Sequence, residues 1–118
     1  MDEFSWFVGI YEGEGSMYSR ITPRTHTLAS GEVKTYDCRQ VCLTIKMTDE
    51  DIIARCAKFL GQKYAEVERA DRDRRGYKRI YRVRQTGGPK GKLRKLLDRM
   101  YPHLSKRRQE QIDRHLNS

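Results

Sequence analysis

Phe7-Val8-Gly9-Ile10-Tyr11-Glu12-Gly13-Glu14-Gly15-Ser16 is the stretch whose reading decides the fold. Before it and through it, Phe4, Phe7, Val8 and Tyr11 stand at i, i+3, i+4 and i+7, one apolar stripe of a helix. Trp6, Gly9, Ile10 and Gly13 form a second stripe on another face. Asp2 stands where a cap belongs, so the spacing predicts a helix over residues 3–13. One stripe covers the chain's own core. The other leaves two readings open: a helix buried on both sides within one chain, or a helix meeting a second copy of itself. Gly9 and Gly13 weaken a helix but let two backbones approach closely.

From Gly15 the period drops to two. Met17, Ser19 and Ile21 alternate with Ser16, Tyr18, Arg20, Thr22 and Arg24. Residues 25–35, with Ser30-Gly31, read as a hairpin loop. In 36–47, Val41, Leu43, Ile45 and Met47 face one way and Gln40, Cys42, Thr44 and Lys46 the other. Thr48 before Asp49-Glu50-Asp51 predicts a helix start, with acids at the positive end of the dipole. Ile53, Cys56, Ala57 and Leu60 are its core stripe and Gly61 its close. Residues 63–70 and 77–85 read as a second hairpin turning around Asp71 to Gly76, with Tyr81 and Val83 inward and Ile80, Arg82 and Arg84 outward. Leu93, Leu96, Leu97 and Met100 mark a third helix, which Pro102 ends. Ser105 can cap a last one through Ile112 and Leu116. The expected fold is one α+β domain: an antiparallel sheet of two hairpins with helices on one face.

The chain has 118 residues and a net charge of +9. Residues 1–15 hold four acids and no base, so the remainder is strongly basic. A polyanion is the partner this implies. No apolar run is long enough to span a bilayer, so no membrane role is expected. Three cysteines without a CxxC pair point to a reducing, intracellular setting. A sheet face carrying Arg, Lys, Gln and Thr suits base edges and phosphates. A nine-residue strand spans about 30 Å, about nine base pairs of duplex. The plain alternative is a solvated sheet face.

The run Gly9 to Ser16 resembles the signature of LAGLIDADG homing endonucleases in its variant form ending Glu-Gly-Glu-Gly-Ser. Glu12 and Glu14 stand in place of aspartates, and Phe7, Val8 and Tyr11 replace commoner aliphatic residues. Three further segments resemble the family in the same order: Leu43 to Ile52, Val83 to Met100, and Tyr101-Pro102-His103-Leu104 with Lys106-Arg107-Arg108-Gln109. The resemblance implies an αββαββα saddle. It also implies a homodimer built through the signature helices, with Trp6, Gly9, Ile10 and Gly13 at the interface. By the same resemblance, Glu14 and the carbonyl of Gly13 hold Mg²⁺, Lys106 or Arg107 lies near the scissile phosphate, and Asp49 sits at the edge of the site. The implied contacts to double-stranded DNA are Tyr18, Arg20, Thr22, Arg24, Gln40, Thr44 and Lys46, with Ile80, Arg82 and Arg84 from the second hairpin. The expected activity is site-specific double-strand cleavage of a pseudo-palindrome of about twenty base pairs. The rivals are an intron RNA maturase and a non-catalytic DNA-binding regulator. Gly9-Ile10-Tyr11 also spells half of the GIY-YIG nuclease signature, but it lies in a helical pattern and no Tyr-Ile-Gly follows.

Overall fold

The computed structural model describes residues 2–67, 79–88 and 90–116. Helix α1 (Glu3–Glu14) leads into β1 (Gly15–Thr27) and β2 (Val33–Met47), then α2 (Glu50–Leu60), β3 (Tyr64–Glu66) and β4 (Tyr81–Gly87). Helix α3 (Lys92–Met100), a 3₁₀ turn at Tyr101–His103 and α4 (Lys106–Leu116) complete it. The strands form one antiparallel sheet in the order β1-β2-β4-β3. The expected α+β layout is the observed one.

Asp2 caps α1 by accepting the Ser5 N–H at 2.7 Å. The expected stripe is the buried one: Phe7, Val8 and Tyr11 enter the core, and Phe7 stacks on Phe59 with ring centroids 4.7 Å apart. Val41, Leu43 and Ile45 are fully buried against Ile53, Leu93, Leu97 and Ile112 from three helices. The helix turns into the strand at Gly15, whose register partner is Ile45. A Cβ on Gly15 would lie 2.7 Å from the Tyr11 carbonyl oxygen and run into the Tyr11 ring. Gly15→Ala should therefore cost about 2–3 kcal/mol of stability through overpacking, read as a lowered urea midpoint.

The structure departs from expectation in four places. The first hairpin is longer: its strands continue to Thr27 and resume at Val33, because only residues 28–32 are needed to turn. Leu28 N–H donates to Glu32 O at 2.7 Å, and Gly31 takes a φ of 88°, which a residue without Cβ adopts freely. β-branched Thr25, Thr27, Val33 and Thr35 favour extended backbone on either side. Secondly, Ile21 was expected inward but is 64% exposed. The α4 cover reaches β1 at Ser19, whose hydroxyl meets His115 Nδ1 at 2.9 Å, and Ile21 lies past it on the two-stranded ribbon. Thirdly, Asp49, not Thr48, occupies the cap position of α2. Fourthly, the second hairpin is described only as β3 and β4, with Val67 N–H donating to Ile80 O at 2.8 Å. The turn expected from Asp71 to Gly76 lies outside the described residues.

Candidate functional site

The register brings four chain ends to one end of the sheet. Gly15 opposite Ile45 puts the C-terminus of α1 beside the last residues of β2, and Met47 opposite Tyr81 adds the start of β4. The N-terminus of α4 joins them through Glu12 and Ser105.

Glu14 is the last residue of α1, is exposed, and its carboxylate makes no hydrogen bond or ion pair with any described residue. Gly13 beside it is also exposed, and its carbonyl belongs to the last helical turn, where no intrahelical donor follows. A free carboxylate next to an open carbonyl fits a hard divalent cation that keeps several of its waters. Among the described residues there is no cluster of three or more His, Cys, Asp or Glu side chains that could enclose a metal. One carboxylate and one carbonyl would leave most of such an ion's coordination to water.

Glu12, two residues earlier, is engaged instead. Its carboxylate accepts the Ser105 N–H at 2.5 Å and the Ser105 hydroxyl at 2.9 Å. Its backbone carbonyl accepts Arg108 Nε at 3.1 Å. Partial burial pushes the Glu12 carboxyl up, but the Ser105 donors and the charges of Arg108 and Arg107 outweigh this and leave its pKa below the usual glutamate range. The unfolded chain then takes up this proton before the folded chain does, so the stability held by the contact falls as pH drops through that range. The loss of urea midpoint between about pH 7 and about pH 3 should be smaller in Glu12→Gln than in the wild type.

The sheet face away from the helices is built from cross-strand rows: Arg20–Gln40, Tyr18–Cys42–Thr86, Ser16–Thr44–Arg84 and Lys46–Arg82. Arg24 and Lys34 continue it along the ribbon. Among the described residues of β1, β2 and β4, the positions on this face carry six cations and no carboxylate: Arg20, Arg24, Lys34, Lys46, Arg82 and Arg84. Arg20 donates to Gln40 Oε1 through Nη2 at 3.1 Å and Nε at 3.2 Å, so its guanidinium is held across the strands. A depression of about 640 Å³ opens on this face, lined by Tyr18, Arg20, Gln62, Lys63, Arg84 and Thr86.

No protein-family model matches the chain, and no curated protein sequence matches it. Solved structures do. One is the homing endonuclease I-CvuI in complex with the I-CreI target in the presence of Mg, its DNA not cleaved. It is 24% identical, with a TM-score of 0.55 over 93% of this chain and 62% of that one. The same enzyme with its own target in the presence of Ca gives 23% identity and a TM-score of 0.54, again over 93% and 62%. The chain has a homing-endonuclease fold. It spans 62% of the length of those structures.

Within this homing-endonuclease fold the expected site residues divide. Lys106 and Arg107 are the exposed first residues of α4, and Arg107 Nη2 lies 3.9 Å from Glu12 Oε2. Asp49 follows β2 at the same end of the sheet, exposed, with no side-chain bond to its own helix. Tyr18, Arg20, Arg24, Lys46 and Arg84 are exposed on the open face, while Thr22, Gln40, Ile80 and Arg82 are half-buried. Thr44 is on this face but only 4% exposed, and Cys42 only 3%. Both are small residues of an inner strand, set between Ser16 and Arg84 and between Tyr18 and Thr86, so they form the floor.

On α1, Gly9 and Gly13 are exposed, and a Cβ on either would meet nothing within 4 Å. Trp6 and Ile10 are half-buried, with the Arg55 guanidinium 3.9 Å from the Trp6 ring. Among the described residues, then, this second face is covered at Trp6 and Ile10 only in part and is open at Gly9 and Gly13.

Sequence reasoning missed Arg108, which is 4% exposed and lies over the Tyr11 ring at 5.1 Å. Its position in the stripe Leu104, Arg108, Ile112, Leu116 was the available signal. Gln62 and Lys63 were missed too. They follow Gly61 in a short connection with no period to mark them.

Proposed function

We propose that this chain is a site-specific, divalent-metal-dependent DNA endonuclease of the LAGLIDADG type, acting as a homodimer on double-stranded DNA. The observation that carries this is one juxtaposition: a sheet face whose described residues on β1, β2 and β4 carry cations and no carboxylate ends beside a helix terminus whose exposed carboxylate, Glu14, has no described partner. The fold supports the same reading.

Glu14 and the Gly13 carbonyl would hold the ion, Mg²⁺ in this reading. When bound, such an ion lowers the pKa of a coordinated water and stabilises a leaving phosphodiester oxygen. The chain's own groups do the rest. Tyr18, Arg20, Thr22, Arg24, Gln40, Lys46, Ile80, Arg82 and Arg84 track the groove and backbone of the duplex, with buried Thr44 beneath them. Lys106 or Arg107 meets the charge on the phosphate to be cut, and Asp49 borders the site. A second copy docked along Trp6, Gly9, Ile10 and Gly13 brings a second Glu14 to the same end and makes the target palindromic.

A library of randomised palindromic duplexes, incubated with the protein and Mg²⁺ and sequenced for cut ends, tests this. Ca²⁺ in place of Mg²⁺ scores binding alone. The expected result is one enriched family of sites of about twenty base pairs, cut on both strands. Selective binding without cutting in Mg²⁺ would replace the reading with a DNA-binding regulator. Selective retention of structured RNA over every duplex would replace it with the RNA-splicing reading.

A further inference from the structure

The two acids at the end of α1 sit two residues apart and are used differently. Glu14 leaves its carboxylate open, whereas Glu12 turns to α4. Ser105 immediately precedes α4, and Glu12 accepts both its N–H and its hydroxyl. A carboxylate from another helix thus satisfies a donor that opens α4, beside the positive end of its dipole. Arg108 closes the other side, its guanidinium bonded to the Glu12 carbonyl at the negative end of α1 and to Gln111 Oε1 at 2.9 Å. The two residues bracketed by Ser105 and Arg108 are Lys106 and Arg107.

We infer that Glu12 is a positioning residue for cleavage: with its carboxylate on Ser105 and its backbone carbonyl on Arg108, it holds the cations of α4's first turn at the end of α1 that carries Glu14. This rests on the nuclease reading above. A carboxylate that only stabilised the fold would change how much protein is folded and not the rate per folded molecule. A positioning carboxylate acts through the cations, so its effect must depend on their presence.

A double-mutant cycle reads that dependence. Single-turnover nicking of a supercoiled plasmid bearing the selected site, in which rare cuts stay countable, is measured with Mg²⁺ for four chains. They are the wild type, Glu12→Ala, Lys106→Ala/Arg107→Ala, and the three changes together, each well below its melting temperature. Glu12→Ala should slow nicking about 30-fold when the cations are present and less than about threefold when they are absent. Glu12→Gln, which keeps an acceptor for Ser105, should recover most of the rate. Amide exchange at residues 105–108 should rise in Glu12→Ala while that at 112–116 does not. Equal losses with and without the cations, no loss in either, or unchanged exchange would overturn the inference. A wild type that cuts no DNA would remove the nuclease reading and this inference together. A wild type that cuts, with additive losses, would remove this one alone.

Discussion

Glu14→Gln should abolish cleavage and leave the protein folded and DNA-binding. The expected loss is about a thousandfold or more in single-turnover rate, on the order of 4 kcal/mol of transition-state stabilisation. Glutamine matches glutamate in shape but removes the charge a hard cation requires. The change should be silent elsewhere, because Glu14 is exposed and its carboxylate bonds to no described residue. Stability should stay within about 0.5 kcal/mol of the wild type. Binding in Ca²⁺, followed by gel shift on the selected duplex, should be retained, because the cations of the open face lie on β1, β2 and β4. Cutting by Glu14→Gln at the wild-type rate would remove this carboxylate from the chemistry. Gln at the neighbouring acid is a different experiment, because the Glu12 carboxylate is bonded to Ser105 and a glutamine oxygen there keeps an acceptor for it.

Gly9→Leu should convert a dimer into a monomer that no longer makes double-strand cuts. Nothing lies within 4 Å of a Cβ at this position, so the isolated chain accommodates the side chain. Helix propensity alone favours the change by up to about 1 kcal/mol. A contact between two copies along the Gly9–Gly13 face reverses that sign. Closely approaching helices leave no room for a leucine, and in a two-fold contact each substitution is felt twice. Sedimentation velocity should show the wild type as a dimer and Gly9→Leu as a monomer, with an unchanged or raised melting temperature at low protein concentration. Gly9 is the better test than Gly13, which adjoins Glu14. A variant that stays dimeric and still cuts both strands would place the interface elsewhere.

Much of the fold was legible in the chain because each element announces itself within a few residues. The stripe Phe7, Val8, Tyr11 and the alternation Val41, Leu43, Ile45 are buried as their periods require. Those periods are consequences of backbone geometry, so they need no knowledge of what packs opposite. The place of Glu14 was legible for the same reason: it stands where a helical period gives way to an extended one.

What failed to be legible depended on neighbours distant in sequence. Ile21 belongs by phase to the inner face, yet no described helix reaches far enough along the ribbon to cover it. Thr44 belongs by phase to the open face, yet it is only 4% exposed, set on an inner strand between Ser16 and Arg84. Arg108 looks like part of a basic run and is instead one of the most deeply buried charges described.

The sequence alone determined the order of helices and strands, the apolar face of each, the basic character of the chain and the terminus at which a reactive acid could stand. All of these follow from short-range periodicity, capping and charge. Only the tertiary structure decided which acid is free. Glu12 and Glu14 are the same residue type two positions apart, and nothing near them in sequence shows that one of the two is bonded. The difference comes from Ser105, 93 positions later, which α4 brings back to bond one carboxylate and leave the other exposed.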